Sequence, residues 1–229
     1  MSFDVLQEKI IRMKNPTVVG LDPKPEYVPE HIRKASYEQF GETFEGAADA
    51  IFQFNKGLID ALCDVVPAVK PQAAYYEMYG WQGVKTLHYT IAYASEKGMF
   101  VITDGKRNDI GSTMQAYAKA HLGVSEVNGK ELSAFGSDML TVNGYLGSDG
   151  IEPLLPICDE KDKGIFVLVK TSNPSSGELQ DQKLQNARRV VIRRLHLPVG
   201  LAAQQNGLST EAVRQPPRLR KALVGRKRR

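Results

Sequence analysis

Residues 99–113, MFVITDGKRNDIGST, decide the fold of this chain. The segment opens with an apolar run, Met99 to Thr103, which favours a short β-strand. The run stops at Asp104, and Ser112 and Thr113 then open a helical pattern. A buried strand that ends at a charged residue and leads into a helix is typical of the βα units of a parallel sheet.

The same organisation recurs along the chain. Four more short apolar runs are each followed at once by a polar or charged residue. They cover residues 17–21, 65–69, 138–142 and 164–169. Apolar residues at i, i+3, i+4 spacing predict helices over 44–62 and 81–91. Residues 22–43, rich in Pro and Glu, are predicted to form an inserted loop with little regular structure. The alternation predicts an α/β fold with a parallel sheet.

Polar side chains stand where the predicted strands end. They are Asp22, Lys70, Asp104, Asn143 and Lys170. An α/β barrel places its chemistry at the carboxyl ends of its strands, and so does an open, doubly wound sheet. We predict a TIM (β/α)8-type barrel, with the doubly wound sheet as the competing architecture.

The charged residues after the third strand form a D-x-K-x-x-D pattern. Asp104 and Lys106 are two residues apart on an extended segment, so their side chains share one face. Asp109 falls on the following turn, and Lys70 on the neighbouring strand offers a fourth charge. We expect these groups to lie within a few ångströms of one another and to keep one another ionised. A buried charge array is rarely kept for stability alone and suits electrostatic catalysis, whereas the plain alternative is a solvated turn.

Length and composition limit the possible fold, cellular compartment and membrane association. The 229 residues are slightly fewer than the roughly 250 of a typical α/β barrel. Two cysteines argue against a disulfide framework and fit a reducing cytosol. No apolar run approaches the ~20 residues that cross a bilayer, and residues 1–16 resemble a short amphipathic helix rather than a signal peptide. We therefore expect a cytoplasmic protein without a membrane partner.

The segment 104–113, DGKRNDIGST, strongly resembles the DxKxxDI…T signature of orotidine 5'-phosphate decarboxylases, in their bacterial type 2 subgroup. Flanking segments resemble that family in order and spacing, and the resemblance covers roughly residues 5–186. These segments are VVGLDPKPEYVP, AVKPQAAYYE, TVNGYLGSDGIEPLL and VLVKTSNPSSGELQD. The resemblance implies a carboxy-lyase that converts orotidine 5'-monophosphate to uridine 5'-monophosphate and CO2 in pyrimidine biosynthesis. It also implies that neither a metal nor an organic cofactor takes part.

The resemblance also implies catalytic roles for residues of the charge array. Lys70, Asp104, Lys106 and Asp109 match the catalytic tetrad of the family. Lys106 would donate the proton to the pyrimidine carbon, and Asp104 would sit beside the departing carboxylate. Taken alone, Lys70 before Pro71 is also compatible with a solvated strand end.

Four further residues match substrate-binding positions. Asp22 would bind the ribose and Ser172 the pyrimidine, although singly each is also ordinary turn or loop chemistry. The resemblance implies a homodimer with shared active sites. In it, Asp109, Ile110 and Thr113 would be donated to the site of the partner.

The last part of the chain departs from this pattern. Residues 187–229 contain ten Arg, two Lys and one Glu, whereas residues 1–186 contain three Arg and fifteen Lys. We predict a decarboxylase domain at 1–186 with the first five βα units, a barrel incomplete at its C-terminal side, and a non-homologous Arg-rich tail at 187–229. A change of reading frame near residue 187 is our hypothesis for the tail.

An incomplete barrel has physical consequences. It would leave a sheet edge open and remove the phosphate clamp, so we expect weak or no activity and poor solubility. Two other functions stay open at this point. One is a related Mg-dependent barrel enzyme acting on sugar phosphates. The other is a non-catalytic protein whose basic tail binds nucleic acid, a partner that we do not expect because the tail carries no nucleic-acid-binding motif.

Overall fold

The computed structural model describes residues 2–182 and 211–212. Its main sheet holds five parallel strands in the order of the chain, and β8, Glu211–Ala212, pairs antiparallel with the last of them. The parallel strands are β1 Val18–Leu21, β2 Ala68–Pro71, β3 Phe100–Arg107, β6 Met139–Asn143 and β7 Gly164–Leu168. Each parallel strand lies beside the next one along the chain. This order is that of a β/α barrel, because a doubly wound sheet reverses its order at a switch point.

The five predicted strands are confirmed, with shifted ends. Strand β3 extends to Arg107, four residues beyond its predicted end, and β2, predicted at 65–69, begins only at Ala68. The amides of Val65 and Val66 donate to the carbonyl of Leu62, so these two residues belong to the turn that follows helix 44–62. The shift places Lys70 inside the strand rather than after it.

Helices precede the first strand, fill the connections between the parallel strands and follow the last of them, and the helices predicted over 44–62 and 81–91 are confirmed. They are α1 Ser2–Met13, α2 Glu30–Phe40, α3 Phe44–Leu62, α4 Ala74–Glu77, α5 Gly80–Glu96, α6 Gly111–His121, α7 Leu155–Glu160 and α8 Gly177–Gln180. A hairpin of β4 Ser125–Val127 and β5 Lys130–Leu132 follows α6. Helix α3 begins where Thr43 Oγ1 accepts a hydrogen bond from the amide of Gly46, the usual N-cap arrangement.

The prediction of a loop over residues 22–43 was wrong, because this segment contains helix α2. Pro29 directly precedes its first turn, and Gly41, with φ of 74°, ends it. Ser36 is its one buried residue and donates a hydrogen bond of 2.7 Å to Asp49 on α3. A helix that buries a single serine carries no apolar stripe, so the periodicity used to find helices was missing.

The sheet has apolar packing on both faces. On one face, Leu21, Val69 and Val101 pack beneath helices α3 and α5, and the core continues under α6 and α7. On the other face, the strand residues pack against Leu6 of α1. They are Ala68, Phe100, Ile102, Met139 and Phe166. Because alternate residues share a face, Lys70, Asp104 and Thr141 continue this second face beyond its apolar layer.

Two structural findings concern the cysteines and the possibility of a membrane-spanning helix. Neither Cys63 nor Cys158 forms a disulfide bond within the described residues. Among the helices that the structure describes, none combines the length and the apolar character needed to cross a membrane. The predicted Arg-rich tail, residues 187–229, lies outside the described residues apart from 211–212.

Replacing Ile91 by Ala tests the packing of α5 against the sheet. Ile91 is fully buried in the core, so the substitution should lower the free energy of unfolding by about 2–5 kcal/mol. Urea denaturation followed by circular dichroism measures the change. The matched control is Ile11→Ala on α1, where the side chain is 65% exposed and the expected loss is below about 0.5 kcal/mol. Equal losses at the two positions would contradict the described core.

Candidate active site

The carboxylate of Asp104 lies at the centre of the site. Asp104 is on β3 and is 6% exposed. Its Oδ1 accepts hydrogen bonds from Lys106 Nζ at 2.6 Å and from Thr141 Oγ1 at 2.8 Å. Its Oδ2 accepts from Lys70 Nζ at 2.5 Å and from Gln72 Nε2 at 2.9 Å. Three strand segments therefore meet at one carboxylate.

The predicted contact between Asp104 and Lys106 is present, but the strand between them is irregular. Thr103 is in register with Leu140 and Arg107 with Val142, so β3 uses two more residues than β6 over this stretch. Lys106 has φ of +46°, a left-handed conformation that L-residues rarely adopt. Strained backbone of this kind persists only where the surrounding structure holds it, and it is frequent at functional sites.

The site is a compact array of one carboxylate and two ammonium groups. Burial raises the pKa of Asp104, but hydrogen bonds from Lys106 and Lys70 outweigh this effect, and the resulting pKa lies below its ordinary value. Asp104 is consequently ionised at neutral pH. The side chains of Lys70 and Lys106 are 30% and 45% exposed, so both amines border the solvent at the carboxyl edge of the sheet.

Asp109 does not join this array within one chain. Its Oδ1 accepts a hydrogen bond of 2.8 Å from the amide of Ile110. Over residues 2–182, no ion pair links Asp109 to Lys70 or Lys106. Ile110 is 52% exposed, and Thr113 is exposed on the first turn of α6. Ile110 and Thr113 thus face the solvent after the array, and the half-buried Asp109 lies on the turn between the array and α6.

Arg107 points away from the array, as alternation along a strand requires. It forms an ion pair with Glu77, and its guanidinium lies 5.6 Å from the ring centre of Tyr117. Arg107 therefore ties β3 to α4 and α6. This contact fixes the end of the bulged strand from the side opposite Asp104.

Asp22 and Ser172 lie at the same edge of the sheet. Asp22 follows β1 directly and is exposed, and Ser172 is exposed in the loop after β7. That loop is held by the ion pair of Lys170 with Asp181, at 2.6 Å. The structure thus places both residues at the carboxyl ends of strands, where the sequence predicted them, while their contacts with a substrate stay predictions.

Sequence reasoning missed Gln72 and Thr141, which supply two of the four hydrogen bonds to Asp104. A signal for Thr141 existed, because it is a hydroxyl inside the otherwise apolar run of β6. Gln72 had no comparable signal. It reaches Asp104 because the backbones of the two residues form a parallel bridge just beyond β2.

The described residues contain no group of three or more His, Cys, Asp or Glu side chains arranged to hold a metal ion. The concentrated charge of the site is instead the Lys–Asp–Lys array. Consecutive parallel strands with such an array at their carboxyl edge define a β/α-barrel protein whose chemistry lies at the strand ends.

The family follows from comparison with known proteins. The sequence model of the protein family described as "Orotidine 5'-phosphate decarboxylase / HUMPS family" matches residues 18–215 of this chain. This chain belongs to that family. The predicted resemblance is therefore confirmed.

Two relatives carry the name orotidine 5'-phosphate decarboxylase. The protein from Rhodopirellula baltica is 48% identical over 176 residues, which are 77% of this chain and 56% of the relative. The protein from Caldicellulosiruptor saccharolyticus is 40% identical over 183 residues, which are 80% of this chain and 60% of the relative. The chain thus spans little more than half the length of these relatives.

Solved structures agree with the fold. A crystal structure from Streptomyces avermitilis has a TM-score of 0.65 at 34% identity, and covers 82% of this chain and 59% of that one. The OMP decarboxylase of Leishmania donovani has a TM-score of 0.60 at 29% identity, and covers 81% of this chain and 60% of that one. These likenesses confirm the predicted barrel type of fold.

Acid should weaken the fold through Asp104. Because its pKa is lowered in the folded protein, the unfolded chain takes up a proton first, and the contribution of Asp104 to stability is lost as the pH falls below about 4. The difference in unfolding free energy between the unsubstituted protein and Asp104→Asn should then shrink between about pH 6 and pH 3. Urea denaturation at a series of pH values measures it. The control is Asp64→Asn at an exposed position, and the same pH trend there would contradict the assignment.

Proposed function

We propose that this chain carries the catalytic array of an orotidine 5'-phosphate decarboxylase, which converts orotidine 5'-monophosphate to uridine 5'-monophosphate and CO2. The observation that carries the proposal is the ion-paired array of Lys70, Asp104 and Lys106 at the carboxyl edge of the sheet. The decarboxylase name of the two relatives supports the same reaction. In this role the protein is a carboxy-lyase of UMP biosynthesis.

The three charged groups of the array have distinct tasks. Asp104 is ionised, so a substrate carboxylate placed beside it is destabilised until it leaves as CO2. Lys106 stabilises the carbanion that remains and then transfers a proton to that carbon. Lys70 holds Asp104 from the other side, at 2.5 Å, and keeps the carboxylate in position.

Asp22 and Ser172 are the proposed contacts to the rest of the substrate. Asp22 accepts hydrogen bonds from the ribose hydroxyls, and Ser172 bonds the pyrimidine. Both residues are exposed at the carboxyl ends of strands, and a ligand above Asp104 would lie within the same rim.

We propose that the reaction needs no metal or organic cofactor. The four hydrogen bonds to Asp104 come from two ammonium groups, an amide and a hydroxyl. A divalent cation at this carboxylate would have to displace or lie beside two positive charges, which is electrostatically unfavourable. This argument, together with the relatives' name, weighs against the magnesium-dependent alternative.

We also propose a cytoplasmic homodimer with shared active sites. Ile110 and Thr113 are exposed after the array, and together with the half-buried Asp109 they would complete the site of the partner subunit. A carboxylate donated in this way would supply the second acidic group of the tetrad, which the array lacks within one chain. Neither Cys63 nor Cys158 forms a disulfide bond within the described residues, which is compatible with a reducing compartment.

Substituting Lys106 by Ala tests the proposed reaction. The decrease in ultraviolet absorbance of orotidine 5'-monophosphate, followed at high protein concentration with and without EDTA, measures turnover. We expect slow, EDTA-resistant turnover that Lys106→Ala lowers by about 10²–10⁴-fold, because the proton donor is removed. Lys34→Ala, on the exposed face of α2, is the matched control and should leave the rate unchanged. Absence of turnover from the unsubstituted chain, or turnover that EDTA abolishes, would refute the proposal for this chain.

Mixing two inactive variants tests the shared site. A heterodimer of Lys106→Ala and Asp109→Ala contains one intact site if Asp109 acts across the interface, so random exchange should restore on the order of a quarter of the activity. The matched control mixes Lys106→Ala with Asp104→Ala, which lie in the same array and should restore nothing. Equal results for the two mixtures would contradict a site shared through Asp109.

A further inference from the structure

Thr141 is a buried hydroxyl in the middle of an apolar strand. It lies on β6, whose neighbouring residues Leu140 and Val142 are fully buried, and is itself 1% exposed. A hydroxyl removed from water is costly unless its hydrogen bonds are replaced. The position therefore calls for two partners inside the protein.

Both partners belong to the candidate active site. Thr141 Oγ1 donates to Asp104 Oδ1 at 2.8 Å and accepts from the backbone amide of Lys106 at 2.9 Å. Lys106 Nζ donates a hydrogen bond of 2.6 Å to the same Oδ1 of Asp104. The three residues thus close a ring of hydrogen bonds around the two groups that carry the proposed chemistry.

Thr141 also links the two strands where their pairing is irregular. It lies opposite the irregular stretch of β3, between the registered pairs Thr103 with Leu140 and Arg107 with Val142. There the Lys106 amide donates a hydrogen bond to the side-chain hydroxyl of Thr141. This bond holds Lys106 in its left-handed conformation, with φ of +46°.

We propose that Thr141 is a positioning residue of the decarboxylase, which sets both the orientation of the Asp104 carboxylate and the backbone that aims the Lys106 amine. The inference rests on the proposed function, because positioning matters only if Lys106 is the proton donor. Small displacements of a reacting group lower the rate strongly while they leave ground-state binding nearly intact. A specific kinetic signature follows.

Thr141→Val removes the hydroxyl at nearly constant shape, and Thr141→Ser retains it. We expect Thr141→Val to lower kcat by about 10–100-fold with little change in KM. Thr141→Ser should restore kcat close to that of the unsubstituted protein. The matched control is Thr103→Val, which removes a fully buried hydroxyl of β3 that bonds Ser137 on the opposite face of the sheet. That control should leave kcat unchanged.

A second measurement is independent of turnover. The rate at which acetic anhydride acylates Lys106, read by peptide mass spectrometry with exposed Lys34 as the internal reference, reports how firmly the amine is held. Opening the ring should release the amine from Asp104, so its relative acylation rate should rise several-fold in Thr141→Val and return in Thr141→Ser. If the valine variant fails to fold, Thr141→Cys, which keeps the size and only a weak donor, gives the same comparison.

The outcomes separate the two proposals. Unchanged kcat and unchanged Lys106 acylation in Thr141→Val would overturn the positioning role, as would equal losses in Thr141→Val and Thr103→Val. If the unsubstituted chain does not decarboxylate the substrate, the proposed function fails for this chain. In that case a raised acylation rate in Thr141→Val alone would still support the hydrogen-bonded ring, and an unchanged rate would refute it.

Discussion

The burial of one ionised carboxylate, Asp104, organises the carboxyl edge of this sheet. A carboxylate that is only 6% exposed to solvent is stable only when its oxygens are fully hydrogen-bonded. Four donors meet that need: one on β2, one just after β2, one on β3 and one on β6. Those donors also fix the spacing of β2, β3 and β6. The energetic demand of a single side chain is thus met only when neighbouring strands are correctly assembled, and the site and the fold depend on each other.

At the other end of the same sheet face, apolar packing offsets the free-energy cost of burying the ionised carboxylate. Helix α1 packs Leu6 against Phe100, Ile102 and Met139, which form an apolar layer beneath the charged groups. Burial of large apolar side chains stabilises the sheet and excludes water from the lower side of the array. The side chains of Lys70 and Lys106, 30% and 45% exposed, border the solvent at the carboxyl edge. This separation of an apolar layer from a charged rim is what a β/α barrel uses to combine stability with chemistry.

The sequence predicted the elements better than it predicted their contacts. Strand runs and long helices were found because burial of one face leaves a periodic apolar pattern, as over 44–62. Helix α2 was missed because it buries only Ser36. The prediction of a helix at α5 was correct, but its predicted apolar face is only partly buried, since Leu87 and Ile91 are buried whereas Trp81 is 67% exposed.

The residues alone indicated the family and the α/β alternation, because both follow from patterns along the chain, and the pairing of Asp104 with Lys106, because it follows from local spacing on one strand. The folded structure was needed to show that Gln72 and Thr141 complete the hydrogen bonds to Asp104 and that Asp109 lies outside the array. It alone revealed the left-handed backbone at Lys106. The physical reason is that hydrogen bonds between strands depend on register, and a two-residue irregularity between Thr103 and Arg107 changes that register without leaving a mark in the apolar pattern.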